Sequence, residues 1–214
     1  SSHDNLTLWD KLVMSLHGRE ADFTKSYEDV FSANKLAALI YFTCQGNLFF
    51  QAGEEFGRTK LGEENSYRSD PELNMLRWRQ TLEYGELVDY YRGLIRLRKR
   101  LPGLCDKSAD AAARLLEKQI PGPGVVAFCM DNRPLERQKA QEGSTIGYHT
   151  RGDKLFVAYN ASSHDAQIEL PAGAWEVLAD GQCTDYEGEE QTPQWGKISV
   201  PAGSGVILGY LRED

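Results

Sequence analysis

The chain has 214 residues, 41% of them hydrophobic and 26% charged, with a formal net charge of −8. That is enough for one large domain or two small ones of ordinary globular composition. The negative charge argues against a nucleic-acid backbone or an anionic membrane as partner, and no apolar run approaches the roughly 20 residues of a membrane span.

The opening Ser1-Ser2-His3-Asp4-Asn5 lacks an initiator Met and shows no signal peptide. We therefore expect a piece of a longer protein whose targeting signals lie upstream. Taken alone, His3-Asp4 reads as a solvated turn, or Asp4 as the cap of a helix starting at Leu6. Val30, Ala33, Leu36, Ala37, Ile40 and Tyr41 recur at helical spacing and predict a helix from Val30 to Cys44, with Gly46 as its C-terminal cap. Leu48-Phe49-Phe50-Gln51 is a short apolar run closed by Gly53, the pattern of a strand buried on both faces. Residues 52–80 form a long polar stretch, and so long a loop in a compact domain is usually functional or disordered.

Leu87, Tyr90, Leu94, Leu97 and Leu101 step by three and four and predict a second helix, ended by Pro102-Gly103. Arg96, Arg98, Lys99 and Arg100 crowd its last turn, where cations complement the helix's own C-terminus. Residues 106–118 read as a further helix or a disordered insert, and Pro121-Gly122-Pro123-Gly124 marks a boundary. Short strands follow at Val125–Met130, Thr145–His149, Leu155–Asn160, Ala166–Leu170, Trp175–Leu178, Lys197–Val200 and Val206–Leu211. Turn signals such as Pro171-Ala172-Gly173 and Asp180-Gly181 separate them, and this rhythm predicts an antiparallel β-sandwich. Asp131 to Glu142 reads as an exposed hairpin loop.

The four cysteines, Cys44, Cys105, Cys129 and Cys183, include no C-x-x-C pair. We read them as free, mostly buried thiols, which speaks against zinc and favours a reducing, cytoplasmic setting over secretion. His17, His149 and His164 have no ligand-like spacing, and no turn spells out a calcium loop. Trp175 and Trp195 are read as sandwich core, with a carbohydrate platform as the alternative.

His3-Asp4-Asn5-Leu6-Thr7-Leu8-Trp9-Asp10-Lys11-Leu12 resembles the last barrel motif of the pullulanase branch of the α-amylase superfamily. Gln45-Gly46 and Phe49-Phe50-Gln51-Ala52-Gly53-Glu54-Glu55-Phe56-Gly57-Arg58-Thr59-Lys60 resemble its eighth strand and the loop that follows. Asn65-Ser66-Tyr67, Asn74 and Trp78 continue the likeness, as does Asp89-Tyr90-Tyr91-Arg92-Gly93-Leu94-Ile95 for the eighth helix. Less specific matches at Tyr159-Asn160-Ala161-Ser162, Leu170-Pro171 and Trp175-Glu176-Val177-Leu178 carry it over the rest of the chain. Two departures stand out: Ser69-Asp70-Pro71 where the family usually shows Ser-Pro-Asp, and Arg77 where it commonly has Asp.

The resemblance implies the C-terminal part of a (β/α)8 barrel over residues 1–102, a linker at 103–124 and a β-sandwich over 125–214. A whole barrel needs about 250 residues, so most of it would precede residue 1. It further implies hydrolysis of α-1,6 branch linkages in an α-glucan by a retaining mechanism, with no organic cofactor and no metal. Asp4 would be the transition-state stabiliser, and His3, Asn5, Arg58, Tyr67, Asp70 and Asn74 would bind substrate. The nucleophile and the acid/base, about 5–5.5 Å apart in such enzymes, would lie upstream, so the chain alone is expected to be inactive. Glu54 and Glu55 do not replace them, because adjacent residues in an extended segment point to opposite faces. Tyr67 and Trp9 are candidates for stacking on sugar rings or for buried packing, and Trp78 is expected to pack.

The expected partners are an α-glucan and the upstream barrel. Homodimers through the unfinished sheet edge are a further expectation. Alternatives are an α-1,4-acting relative and a non-catalytic glucan-binding or stabilising module.

Overall fold

The computed structural model describes residues 5–134, 152–184 and 192–211. The chain divides into two compact units, residues 1–35 with 49–91, and residues 36–48 with 92–214.

The first unit is helix and loop. Helix α1, Leu8–His17, starts at Thr7, whose hydroxyl accepts from Asp10 N–H at 3.1 Å. It stops at Gly18, whose N–H returns to the Met14 carbonyl. Trp9 and Val13 of α1 bury against Val30 of α2, Glu28–Thr43, with Phe23, Tyr27, Phe31 and Tyr84 around them. Trp9 stacks on Tyr84 at 5.5 Å and meets Phe31 edge-on at 5.3 Å. The short helices α3, Pro71–Asn74, and α4, Gln80–Glu83, lead into α5, Gly85–Arg100. Both long helices fall where the periodicity places them.

The expected strand at Leu48–Gln51 does not form. These residues pair with no ladder, and Phe49 is 73% exposed. A strand needs a neighbour to take its N–H and C=O groups, and no other strand lies before Leu115 among the described residues.

The second unit is β-rich. Strands β1 Leu115–Gly122, β2 Val125–Asp131, β3 Lys154–Asn160, β5 Ala174–Ala179 and β7 Ser204–Leu211 form an antiparallel sheet in the order β1-β2-β3-β7-β5. Strands β4 Ala166–Glu169 and β6 Lys197–Val200 form a second, two-stranded sheet. Between them pack Val125, Ala127, Cys129, Phe156, Ala158, Ile168, Trp175, Val200 and Leu208, alternate residues along their strands as a sandwich requires. The buried Asn160 donates to the carbonyls of His164 at 2.8 Å and Val200 at 2.9 Å, tying β3 to the second sheet. Elsewhere in this unit, the Thr43 hydroxyl meets Tyr159 Oη, and Gly205 leaves no room for a Cβ, which would stand 3.0 Å from Leu39. The expected strand at Thr145–His149 and most of the 131–142 hairpin lie outside the described residues.

Residues 103–124, expected as a linker, hold helix α6, Pro102–Cys105, a 3-10 turn at Ala111–Arg114 and strand β1. The helix expected at 106–118 is therefore a turn and the start of an edge strand. Most of β1 is solvent-exposed on both sides, so its sequence carries no burial period to announce it. The basic cluster also differs from expectation. Arg98 shares a stripe with Leu94 and Leu101, is 8% exposed, and donates to the carbonyls of Phe42, Cys44, Leu104 and Gly46 at 2.6–2.8 Å. It caps the end of α2 rather than complementing its own helix.

Asp106 and Arg114 form a buried ion pair at 2.6 Å, and Arg114 also donates to the carbonyls of Asp131 and Arg133 at 2.9 Å. Burial works to raise the Asp106 carboxyl, but hydrogen bonds from Arg114 and Ser108 outweigh it and hold the group at about 2. An unfolded aspartate titrates near 3.9, so the pair's contribution is complete above about pH 4 and disappears as pH falls toward 2. The expected contribution is about 2 kcal/mol. Urea unfolding of the wild type and Asp106→Asn between pH 5 and pH 2 should show the stability gap narrowing by that amount; parallel curves would refute it.

Candidate functional site

The loop from Phe49 to Trp78 follows α1 and α2 and is fixed mainly by polar contacts. Asp10 projects from the buried side of α1 and is fully buried. Its Oδ2 accepts from Lys60 N–H at 2.8 Å and its Oδ1 from the Thr59 hydroxyl. A buried carboxylate with two donors is well satisfied, and it pins the loop's first half to α1. Gly57 lets the loop pass close by: it sits at φ 65°, and a Cβ there would stand 2.9 Å from both Trp9 and Tyr84.

The second half closes on Ser66 and Asn74. Ser66 Oγ donates to Asn74 Oδ1 at 2.9 Å, and Asn74 Nδ2 returns to the Ser66 carbonyl at 2.7 Å. Lys60 Nζ reaches Ser66 Oγ at 2.6 Å. Arg58 Nη1 donates to the Ala52 carbonyl at 3.2 Å and its Nη2 to the Asn74 carbonyl. Burial pushes the Arg58 guanidinium down from its ordinary value; burial lowers Lys60 too, helped by Arg58 and opposed by Asp10.

The expected site residues thus divide. Arg58 and Asn74 come together as the loop's internal frame. Tyr67 is 71% exposed, with the Arg68 guanidinium 5.0 Å from its ring centre, free to offer a ring face. Asp70 is exposed and precedes α3; its carbonyl accepts from Leu73 N–H while its side chain makes no cap. Asn5 adopts φ 71°, a conformation Asn tolerates, and its Oδ1 accepts from Leu6 N–H at 2.7 Å within its own turn. His3 and Asp4 lie outside the described residues.

Glu54 and Glu55 fold back on the loop: Glu54 Oε1 accepts from Gln51 N–H at 3.1 Å, and Glu55 Oε2 from Gly53 N–H at 2.9 Å. Neither carboxylate is poised across a common space. Asp10 is the anchor of this loop that the pattern alone did not assign. Its signal was Thr7-x-x-Asp10, a helix-start spacing that reads as a local capping device.

The aromatics sort by burial. Trp9 is core and donates to the Phe23 carbonyl at 3.2 Å. Trp78, expected to pack, is 64% exposed beside Phe56. Trp175 is core, whereas Trp195 is 55% exposed. His17 lies 3.0 Å from Asp29 and stacks on Tyr27, and His164 contacts the Ser163 hydroxyl; His149 lies outside the described residues. Cys129 is buried, but Cys44 and Cys183 are exposed, against the expectation of mostly buried thiols. Among the described residues no three His, Cys, Asp or Glu side chains gather as metal ligands, and no helix is long and apolar enough to cross a membrane.

Residues 137–210 match the family model of the alpha amylase, C-terminal all-beta domain. The whole chain is 43% identical to a pullulanase of Bacillus subtilis strain 168, covering 27% of that protein. The pullulanase structure from Bacillus acidopullulyticus superposes with a TM-score of 0.78 at 29% identity, over 97% of this chain and 23% of that one. The Paenibacillus barengoltzii pullulanase, solved in complex with maltohexaose and alpha-cyclodextrin, gives 0.75 at 34% identity, over 99% of this chain and 29% of that one. The chain spans less than a third of the length of these relatives. This likeness runs through both units, from the loop framed by Arg58, Ser66 and Asn74 to the sandwich, so that in sequence and fold the whole chain is similar to part of the pullulanases.

Proposed function

We propose that this chain is the C-terminal portion of a pullulanase-type debranching enzyme that hydrolyses α-1,6 linkages in pullulan, glycogen or limit dextrins. Residues 1–102 supply the last part of a (β/α)8 barrel, and residues 125–214 a β-sandwich that follows it in the chain. The observation that carries this reading is 43% identity with a pullulanase along the whole chain.

Glycoside hydrolysis passes through an oxocarbenium-like state, which a nearby carboxylate stabilises. Asp4 has that role, and His3 donates to a sugar hydroxyl from a neutral imidazole. The loop supplies a cleft wall. Its frame of Asp10, Arg58, Ser66 and Asn74 holds the backbone, so Arg58 and Asn74 act chiefly as positioning residues. Tyr67 offers the ring face, and Asp70 and Asn5 offer polar edges. A rigid wall limits the entropy lost when a flexible glucan binds. The bound maltohexaose of the Paenibacillus relative supports an α-glucan as the ligand class.

The nucleophile and the acid/base belong to the upstream part, since Glu54 and Glu55 are committed to the loop's own N–H groups. Reducing-sugar release from pullulan and from amylose tests this. The chain alone should release none from either, and a polypeptide extended upstream through the barrel should cleave pullulan. Cleavage by the chain alone would overturn the division of catalytic groups, and cleavage of amylose but not pullulan by the longer polypeptide would overturn the linkage.

A further inference from the structure

We propose that Cys44 and Cys105 are a redox-active thiol pair that closes to an intramolecular disulfide on exposure to a low-molecular-weight disulfide such as oxidised glutathione. The pair follows from backbone placement. Arg98 Nη1 donates to the carbonyl oxygens of Cys44 and Leu104 at 2.6 Å each. The two oxygens therefore stand within about 5 Å of each other. Gly46 N–H donates to the Asp106 carbonyl at 2.8 Å, and Gln45 Nε2 to the Gly103 carbonyl at 3.3 Å. Segments 44–46 and 103–106 thus lie beside each other, tied at Gly46 to Asp106 and, through Arg98, at Cys44 to Leu104; a disulfide needs the two Cα atoms about 4.4–6.8 Å apart.

Both thiols are free, Cys44 exposed and Cys105 half-buried. Their present contacts are weak: Cys44 Sγ with the Ile40 carbonyl at 3.3 Å and Cys105 Sγ with the Pro102 carbonyl at 3.9 Å. Rotation about χ1 releases each. The Arg98 guanidinium lies near both sulfurs, and its charge favours the Cys105 thiolate against the effect of burial. Cys129 is a different case: buried in the sandwich core, its thiol is pushed up to about 11 by burial.

The chemistry is two exchanges. The Cys44 thiolate attacks one sulfur of oxidised glutathione, forming a mixed disulfide and expelling a glutathione thiolate. The Cys105 thiolate then attacks Cys44 Sγ, forming the internal disulfide and expelling the second glutathione thiolate. Two protein thiols are oxidised and one glutathione disulfide is reduced to two thiols. Burial raises the Cys105 thiol although Arg98 opposes it, so the second step quickens as pH rises.

The test treats the full chain, carrying Cys183→Ser to remove the other exposed thiol, with oxidised glutathione under native conditions. Intact mass should fall by two hydrogens, and peptide mapping should find Cys44 joined to Cys105. The staple closes a long loop and should raise the melting temperature by about 5 °C or more, reversed by dithiothreitol. Cys105→Ser should stop the reaction with one glutathione on Cys44, and Cys44→Ser should leave Cys105 unmodified. A stable glutathione adduct on Cys44 with Cys105 still present, or no reaction at Cys44, would overturn the proposal.

Discussion

Replacing Arg98 by methionine is expected to lower the stability of the chain by about 3–5 kcal/mol, from the loss of charge-assisted hydrogen bonds to four backbone carbonyls. Methionine keeps much of the stem's volume, so the loss reports the guanidinium. Its four acceptors are the carbonyls of Phe42, Cys44, Gly46 and Leu104. Phe42 lies in the last turn of α2 and Cys44 just beyond it, where carbonyls have no partner within the helix. Leaving buried carbonyls bare costs about 1–3 kcal/mol each, partly relieved by water that enters the gap. Arg98→Lys should recover less than half of the loss, because one ammonium cannot reproduce the planar fork that reaches four oxygens. Thermal unfolding is the measurement: a melting temperature about 10 °C lower for Arg98→Met supports the account. A change within about 1 kcal/mol would mean that the guanidinium is replaceable by solvent.

Much of this architecture is legible in the sequence wherever a burial period exists. Leu87, Tyr90, Leu94, Leu97 and Leu101 trace α5 because one stripe of that helix is buried, and each of them is. The strands from Val125 to Leu211 that fall in described residues emerge from short apolar runs between turn residues, since the sandwich buries alternate positions. The failures share a cause, which is that periodicity reports burial and says nothing of pairing partners. Phe49 and Phe50 have strand composition, but among the described residues no strand pairs with them. Strand β1 has partners but little burial, so Leu116 and Ile120 stand exposed on a ladder the pattern does not signal.

The site divides in the same way. The course of the loop is legible from the motif around Gly53-Glu54-Glu55-Phe56-Gly57-Arg58, yet the contacts that frame it are not. Arg58 and Asn74 read as sugar contacts in sequence, and in the structure their hydrogen bonds also frame the loop itself. Asp10 looks like a helix-start residue and is the anchor for Thr59 and Lys60. Arg98 was hidden among four basic residues, and only its place on the apolar stripe distinguishes it from its neighbours.

The most direct test of the account concerns Asp4 in a polypeptide extended upstream through the barrel. Asp4→Ala should lower kcat/KM on pullulan by about a thousandfold or more, equivalent to about 4 kcal/mol of lost transition-state stabilisation. The melting temperature should stay within about 1 °C of the parent, since a group that acts on the reacting sugar need not carry the fold. That outcome would establish that this chain contributes a catalytic carboxylate to a debranching enzyme. Activity within a few-fold of the parent, with folding intact, would contradict it.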